Sequence, residues 1–217
     1  MAVALSHRPR AAAPPLSLLV LASGAGGCIG VDLDTGAFTF PHWLDHRPAM
    51  LAPFDVAVAE VAPDKDVLDP ARPEGVAVLH PPRAVGRMRG RVAERYVRPL
   101  LLPAGQHLLG IPGPTVPYWT LSGNERSLCL VAPTGTPVVV RRAEGVRCRF
   151  VWRGVAHELP MSDTSLAGGL GRAAHGRLGG TALAEVLGFL PQRLLVALTP
   201  PRDGHCYKVV AGLLPRR

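Results

Sequence analysis

The chain has 217 residues, 24 of them Lys or Arg against 16 Asp or Glu, for a formal net charge of +8 and an isoelectric point near 10.2. Hydrophobic residues make up 47% and charged residues 18%, which excludes a disordered chain and leaves one large β domain or two small ones. With 24 Gly and 23 Pro, long helices are excluded as well, because both residues oppose helix interiors.

The positive charge is almost wholly arginine, since Lys65 and Lys208 are the only lysines. A planar guanidinium fork suits phosphate and stacks on bases, so the excess fits a polyanionic partner. The same Ala, Gly, Pro and Arg bias is also what a GC-rich genome produces. Cys28, Cys129, Cys148 and Cys206 are far apart with no C-x-x-C pair, which excludes a zinc ribbon. Each sits in or beside an apolar run. Buried free thiols in a reducing cytoplasm are expected, with two disulfides left open by the spacing. No apolar stretch reaches the roughly 18 residues of a membrane span.

Residues 16–43, LSLLVLASGAGGCIGVDLDTGAFTFPHW, read as strand, glycine-rich corner, strand, Asp-Thr-Gly turn and strand. Ile29, Val31 and Leu33 share one face, continued by Phe38 and Phe40, and that face is expected to be core. Arg8 and Arg10 ahead of the apolar run, with small residues at 23–27, resemble an export signal. Pro14, Pro15 and the strand-like sequel favour a first core strand instead. A phosphate loop at Gly24, Gly26, Gly27 and Gly30 would need a helix next, and VDLDTGAF alternates like a strand. The glycines are therefore assigned to a bulge or sharp corner. His42 and His46, with Asp45 between them, have metal-ligand spacing but no third ligand nearby, so surface histidines are expected.

Residues 54–61 and 75–80 read as two strands of an antiparallel meander. The segment that follows, PPRAVGRMRGRVAERYVRP, is the strongest basic feature. On a strand Arg87, Arg89 and Arg91 project from one face, and Arg83, Arg95 and Arg98 extend the patch, with Glu94 opposing. Such a ribbon can follow a phosphate backbone, or simply protect a sheet edge. Five prolines at 99, 103, 112, 114 and 117 mark a boundary between two halves, or a crossover within one domain.

In the second half, residues 128–132 and 137–142 read as a hairpin around Pro-Thr-Gly-Thr, followed by strands at 146–153 and 155–159. Cys148, Phe150 and Trp152 share one face, with Arg147, Arg149 and Arg153 on the other. Residues 162–180 read as a loop. Thr181 is expected to cap a short helix with an apolar stripe at Leu183, Val186, Leu187 and Leu190. Residues 193–199 and 205–214 close the chain as a hairpin around PPRDG.

The opening LLVLASGAGGCIGVDLDTGAFTFPHW and the closing LLVALTPPRDGHCYKVVAGLL resemble the two ends of a bacterial dual-OB domain family. That resemblance covers about a quarter of the chain. Ala25 and Leu44 depart from the family's tendency toward a polar and basic first corner and an Arg-Pro after the tryptophan. It implies fold rather than activity.

The fold class expected is mainly β: two small OB-like antiparallel barrels, residues 14–104 and 118–217, with one short helix in the second. The function expected is a non-enzymatic cytoplasmic module that binds single-stranded nucleic acid. Its binding residues would be Arg87, Arg89, Arg91, Arg95, Arg98, Arg141, Arg142, Arg147, Arg149 and Arg153, with Tyr118 and Trp119 stacking on bases. No catalytic residue, metal or cofactor is assigned. The alternatives are a hydrolase or nuclease-like enzyme around Asp45 or Asp163, and a scaffold subunit of a bacterial defence or regulatory system.

Overall fold

The computed structural model describes residues 14–24, 27–44, 49–63, 69–103, 107–162 and 176–216. The chain is mainly β. The first half supplies β1 (Leu16–Gly24), β2 (Gly27–Asp32), β3 (Phe38–His42), β4 (Asp55–Ala59), β5 (Gly75–Ala77) and β6 (Arg83–Arg87), then a helix, α1 (Gly90–Val97). The second half supplies β7 (Thr115–Pro117), β8 (Leu128–Val131), β9 (Thr134–Arg142), β10 (Gly145–Trp152), β11 (Val155–Pro160), β12 (Arg177–Leu178), helix α2 (Gly180–Leu187), β13 (Pro191–Leu198) and β14 (His205–Pro215).

One six-stranded sheet has the order β5-β3-β2-β1-β4-β6, and two four-stranded sheets run β11-β10-β9-β12 and β7-β14-β13-β8. In the first sheet β3 and β5 are parallel. An antiparallel bridge between Val61 and Val78 brings the ends of β4 and β5 together. In the second half β8 pairs with β13 and β9 with β10, and a parallel bridge from Met161 to Val210 links the end of β11 to β14.

Local chemistry explains the strand entries. Asp32 accepts from the Asp34 N–H and the Thr35 hydroxyl, both at 2.9 Å, and Gly36 supplies the positive φ of +70° that closes this turn. Of the corner glycines, Gly26 lies outside the described residues; β1 carries a register shift between Val20 and Ala22 opposite Gly30, and Gly30 lets the strands approach closely. A Cβ at Gly30 would lie 2.7 Å from Leu18 Cδ1 and 2.8 Å from the Leu19 carbonyl.

Three apolar clusters stack in series. The first, with Leu18, Val20, Cys28, Trp43, Ala57 and Val78, lies on one side of the six-stranded sheet. The second joins Leu19, Leu21, Ile29 and Val31 from that sheet's other side to Leu128, Leu130, Leu195, Ala197 and Val209. The third holds Cys129, Val139, Cys148, Phe150, Trp152, Leu194, Val196 and Val210. On the expected core face Ile29 and Val31 are buried, and Leu33, Phe38 and Phe40 are partly buried, packed against the same cluster. Trp152 is 7% exposed and the Arg149 side chain 49%, as the alternation required.

Several expectations are corrected. Residues 128–132 and 134–142 do not form a hairpin; β8 and β9 belong to different sheets because every residue of β8 is buried and its apolar run pairs with β13. Residues 54–61 and 75–80 meet antiparallel only at their ends, where Val61 bridges Val78, while the body of β5 pairs in parallel with β3 rather than continuing a meander. The first half has a helix of its own, α1, where a basic strand was expected. In α2 the cap position is Gly179 rather than Thr181. Of the stripe, Leu183 is buried and Leu187 packs on the core, whereas Val186 and Leu190 are 42% and 46% exposed.

All four cysteines are free and buried, and burial pushes the Cys28, Cys129 and Cys148 thiols up to about 12. No helix among the described residues is long and apolar enough to cross a membrane. Gly30→Ala is expected to cost about 1–3 kcal/mol in a urea unfolding titration, because the nearest atoms include backbone that cannot yield. Gly24→Ala, where a Cβ meets nothing within 4 Å, serves as the neutral control.

Candidate nucleic-acid interface

The expected ribbon of Arg87, Arg89 and Arg91 does not exist as one strand face. Arg87 ends β6 and pairs with Asp55 at 3.1 Å, Arg89 is the residue before α1, and Arg91 lies inside it. The helix replaces the ribbon with another row. Arg91, Arg95 and Arg98 recur at i, i+4 and i+7, which puts them on one face, and all three are exposed. Ala93 and Val97 turn the opposite face into the core. Arg95 and Arg98 also sit where the helix dipole favours cations.

Glu94 is the acid on this helix, and it is already engaged. It accepts both ends of the Arg193 guanidinium, at 2.9 and 2.5 Å, with the Arg193 side chain 4% exposed and that of Glu94 23%. Hydrogen bonds from Arg193 hold the Glu94 carboxyl below the usual carboxylate range, and the charges of Arg193, Arg216 and Arg98 add to this. Beside the pair lies a cleft of about 530 Å³ whose lining includes Arg98, Thr136, Gln192 and Arg216.

A second arginine face covers the β11-β10-β9-β12 sheet. Register sets Arg177 opposite Val140, Val140 opposite Arg147, and Arg149 opposite Glu158, so these side chains rise from one surface. Glu158 is their shared counter-charge: Arg142 approaches it at 3.1 Å, Arg147 at 3.3 Å, and Arg149 also donates to it. Hydrogen bonds from Arg142 and then Arg149 hold this carboxyl down to about 2. Arg142, Arg147 and Arg149 thus share one acid, and Arg177 rises from the same surface in register with Val140. Arg141 faces the other way, in register with Val146.

The remaining candidates separate. Arg153 forms the two-residue turn with Gly154, both at positive φ; its guanidinium lies 4.3 Å over the Trp152 ring and donates to the Leu102 carbonyl. Tyr118 is partly buried against the core, and its hydroxyl donates to Asp69 at 3.2 Å, so its ring is not a free platform. Trp119 is 70% exposed and meets His205 edge-on at 5.5 Å between centroids, beside the turn between β13 and β14. Asp45, His46 and Asp163 lie outside the described residues, and His42 ends β3 stacked on Phe40.

Sequence reasoning missed Arg177, Arg193 and Arg216. Arg193 carried a signal, since a single arginine inside the apolar run PQRLLVAL needs a partner when both faces of the strand are buried. Compared with family models, curated proteins and solved structures, the chain matches none.

Glu94→Gln is expected to destabilise the fold by roughly 3 kcal/mol in urea titrations, because Arg193 is left buried without a counter-charge. Adding Arg193→Met should restore part of that loss. The pH dependence has a fixed sign. A carboxyl depressed in the folded state stabilises fully above its unfolded value of about 4.3, and the contribution disappears as pH falls through the folded pKa. The wild type should therefore lose more stability than Glu94→Gln as pH falls from about 5 to about 2.

Proposed function

We propose that this protein is a non-enzymatic module that binds single-stranded nucleic acid in the cytoplasm, on a scaffold of two OB-like barrels. The observation that carries the reading is the pair of outward arginine surfaces. Arg91, Arg95 and Arg98 stand on α1, where the neighbouring acid is already committed to Arg193, and on the β9–β11 face three arginines share one glutamate with Arg177 on the same surface. Each surface keeps a surplus of positive charge, which is what a phosphate backbone selects. Exposed Trp119 adds one stacking surface.

Strand order supports the barrel part of the reading. An OB barrel follows the circuit 1-2-3-5-4-1, with its third and fifth strands parallel. The pairings β1-β2-β3-β5-β4, with the bridge at Val61 and Val78, fit that circuit. So do β9-β10-β11-β14-β13, with β8 as the first part of a bent opening strand and α2 ahead of the fourth strand. The resemblance of both chain ends to a dual-OB family points the same way.

The test is salt dependence. A fluorescent single-stranded oligonucleotide should bind, and log affinity should fall with log salt by roughly 0.7 for each phosphate contact. Arg91→Ala with Arg95→Ala, or Arg149→Ala with Arg177→Ala, should flatten the slope by about 1.4 while moving the urea midpoint little. Absence of binding at low salt, or an unchanged slope in both double variants, refutes the proposal.

A further inference from the structure

The second surplus of charge in this molecule is inside it. On β14, Cys206, Lys208 and Val210 alternate onto one face, and Cys206 and Val210 belong to the third apolar cluster. Lys208 is 4% exposed. Its Nζ donates to the Ile111 carbonyl, at the end of the 3-10 turn Leu108–Gly110. An ammonium has three donors, and among the described residues no carboxylate pairs with this one. Burial, the largest cause, lowers its pKa from the usual lysine value.

Facing Lys208 is His157 on β11. Its ring stacks on Phe150 at 5.1 Å, and its Nε2 is buried without a hydrogen-bond partner among the described residues. Burial and then the positive charge of Lys208 lower its pKa. The buried ammonium thus lines the same cleft as an imidazole whose charged form its own charge disfavours, in surroundings where an unpaired charge is costly.

Both line one cleft of about 610 Å³, between the 107–114 segment and the β10–β11 hairpin. That volume falls in the range of small-ligand pockets, about 300–1,000 Å³. Leu108, Ile111, Val155 and Leu159 give it apolar walls, and Arg153 stands at its edge. The carboxylate in its lining, Glu158, is committed to the arginines of the outer sheet face.

We propose that this cleft binds a small organic carboxylate. The anion would sit between Lys208 Nζ and the Nε2–H tautomer of His157, with an apolar body about one ring in size against Leu108, Ile111 and Val155. Such a ligand adds a partner to the ammonium's remaining donors, gives the orphaned imidazole nitrogen an acceptor and supplies the buried ammonium with a counter-charge. The site shares Glu158 with the outer arginine face, but nothing in the proposal depends on nucleic-acid binding.

Lys208 can be observed directly, because the sequence has only one other lysine, Lys65. In protein labelled at the lysine ε-carbon, millimolar benzoate is expected to shift the Lys208 signal saturably and raise its titration midpoint. Benzamide, the same size and uncharged, should do neither. Lys208→Met, close in shape and without charge, should weaken benzoate binding by a factor of roughly 10 to 100 in calorimetry, whereas Arg91→Ala with Arg95→Ala, on α1 and outside the cleft lining, should leave it unchanged. If Lys208→Met fails to fold, the wild-type comparison of benzoate with benzamide decides alone. A Lys208 signal unmoved by benzoate, an equal response to benzamide, or undiminished binding by a folded Lys208→Met protein would overturn the proposal.

Discussion

The sheet β7-β14-β13-β8 is buried on both sides, and the rest of the molecule is arranged to make that possible. Leu194, Val196 and Leu198 face one cluster while Leu195 and Ala197 face the next, and β8 divides in the same way, Cys129 and Val131 against Leu128 and Leu130. An antiparallel sheet more often keeps one wet face. Here neither face is stable in water, so the first sheet must lie on one side and the β9–β11 sheet on the other. The polar contacts between the halves follow this layering: Ser127 donates to Glu74, Arg72 to the Leu198 carbonyl, and Tyr118 to Asp69.

Charge is sorted by the same geometry. Where a guanidinium enters the interior, as at Arg193, it arrives with a bidentate carboxylate. Where arginines face outward, as along α1 or across β9–β11, carboxylates are scarce and the surplus is left to solvent or a ligand. Lys208 breaks the rule, being buried with a carbonyl and a histidine for company. The three thiols raised to about 12 lie on the inert side of cysteine chemistry, since the thiolate is the reactive form.

What could be read from the sequence was what short-range chemistry decides. The Asp-Thr-Gly turn, the alternation of Cys148, Phe150 and Trp152 with Arg147 and Arg149, and the closing hairpin all specify themselves within a few residues, and the structure has each of them. Misreadings fell where long-range burial decides. LCLV in β8 is apolar throughout, so it gives no alternation to show its partner, and the neighbouring Pro-Thr-Gly-Thr offered a false turn. The basic segment was misread for a different reason. Arg87, Arg89 and Arg91 alternate like a strand, but Arg91, Arg95 and Arg98 also fit a helix turn, and Ala93 with Val97 supply the apolar side that settles it in favour of the helix. No sequence spacing announces that Lys208 and His157 will meet, because they come from separate strands.

The middle cluster has a consequence for the order of synthesis. Leu19, Leu21, Ile29 and Val31 are made early, yet Leu195, Ala197, Val209 and Leu214, which share their cluster, are made more than 160 residues later. A nascent first half leaving the ribosome therefore shows an apolar sheet face that Phe54, Ala93 and Val97 cover only in part. Pairings this distant along the chain also form slowly. During translation the incomplete chain is a natural client for a holdase, and a premature stop shortly before β13 would leave a well-formed first sheet with a permanently sticky side.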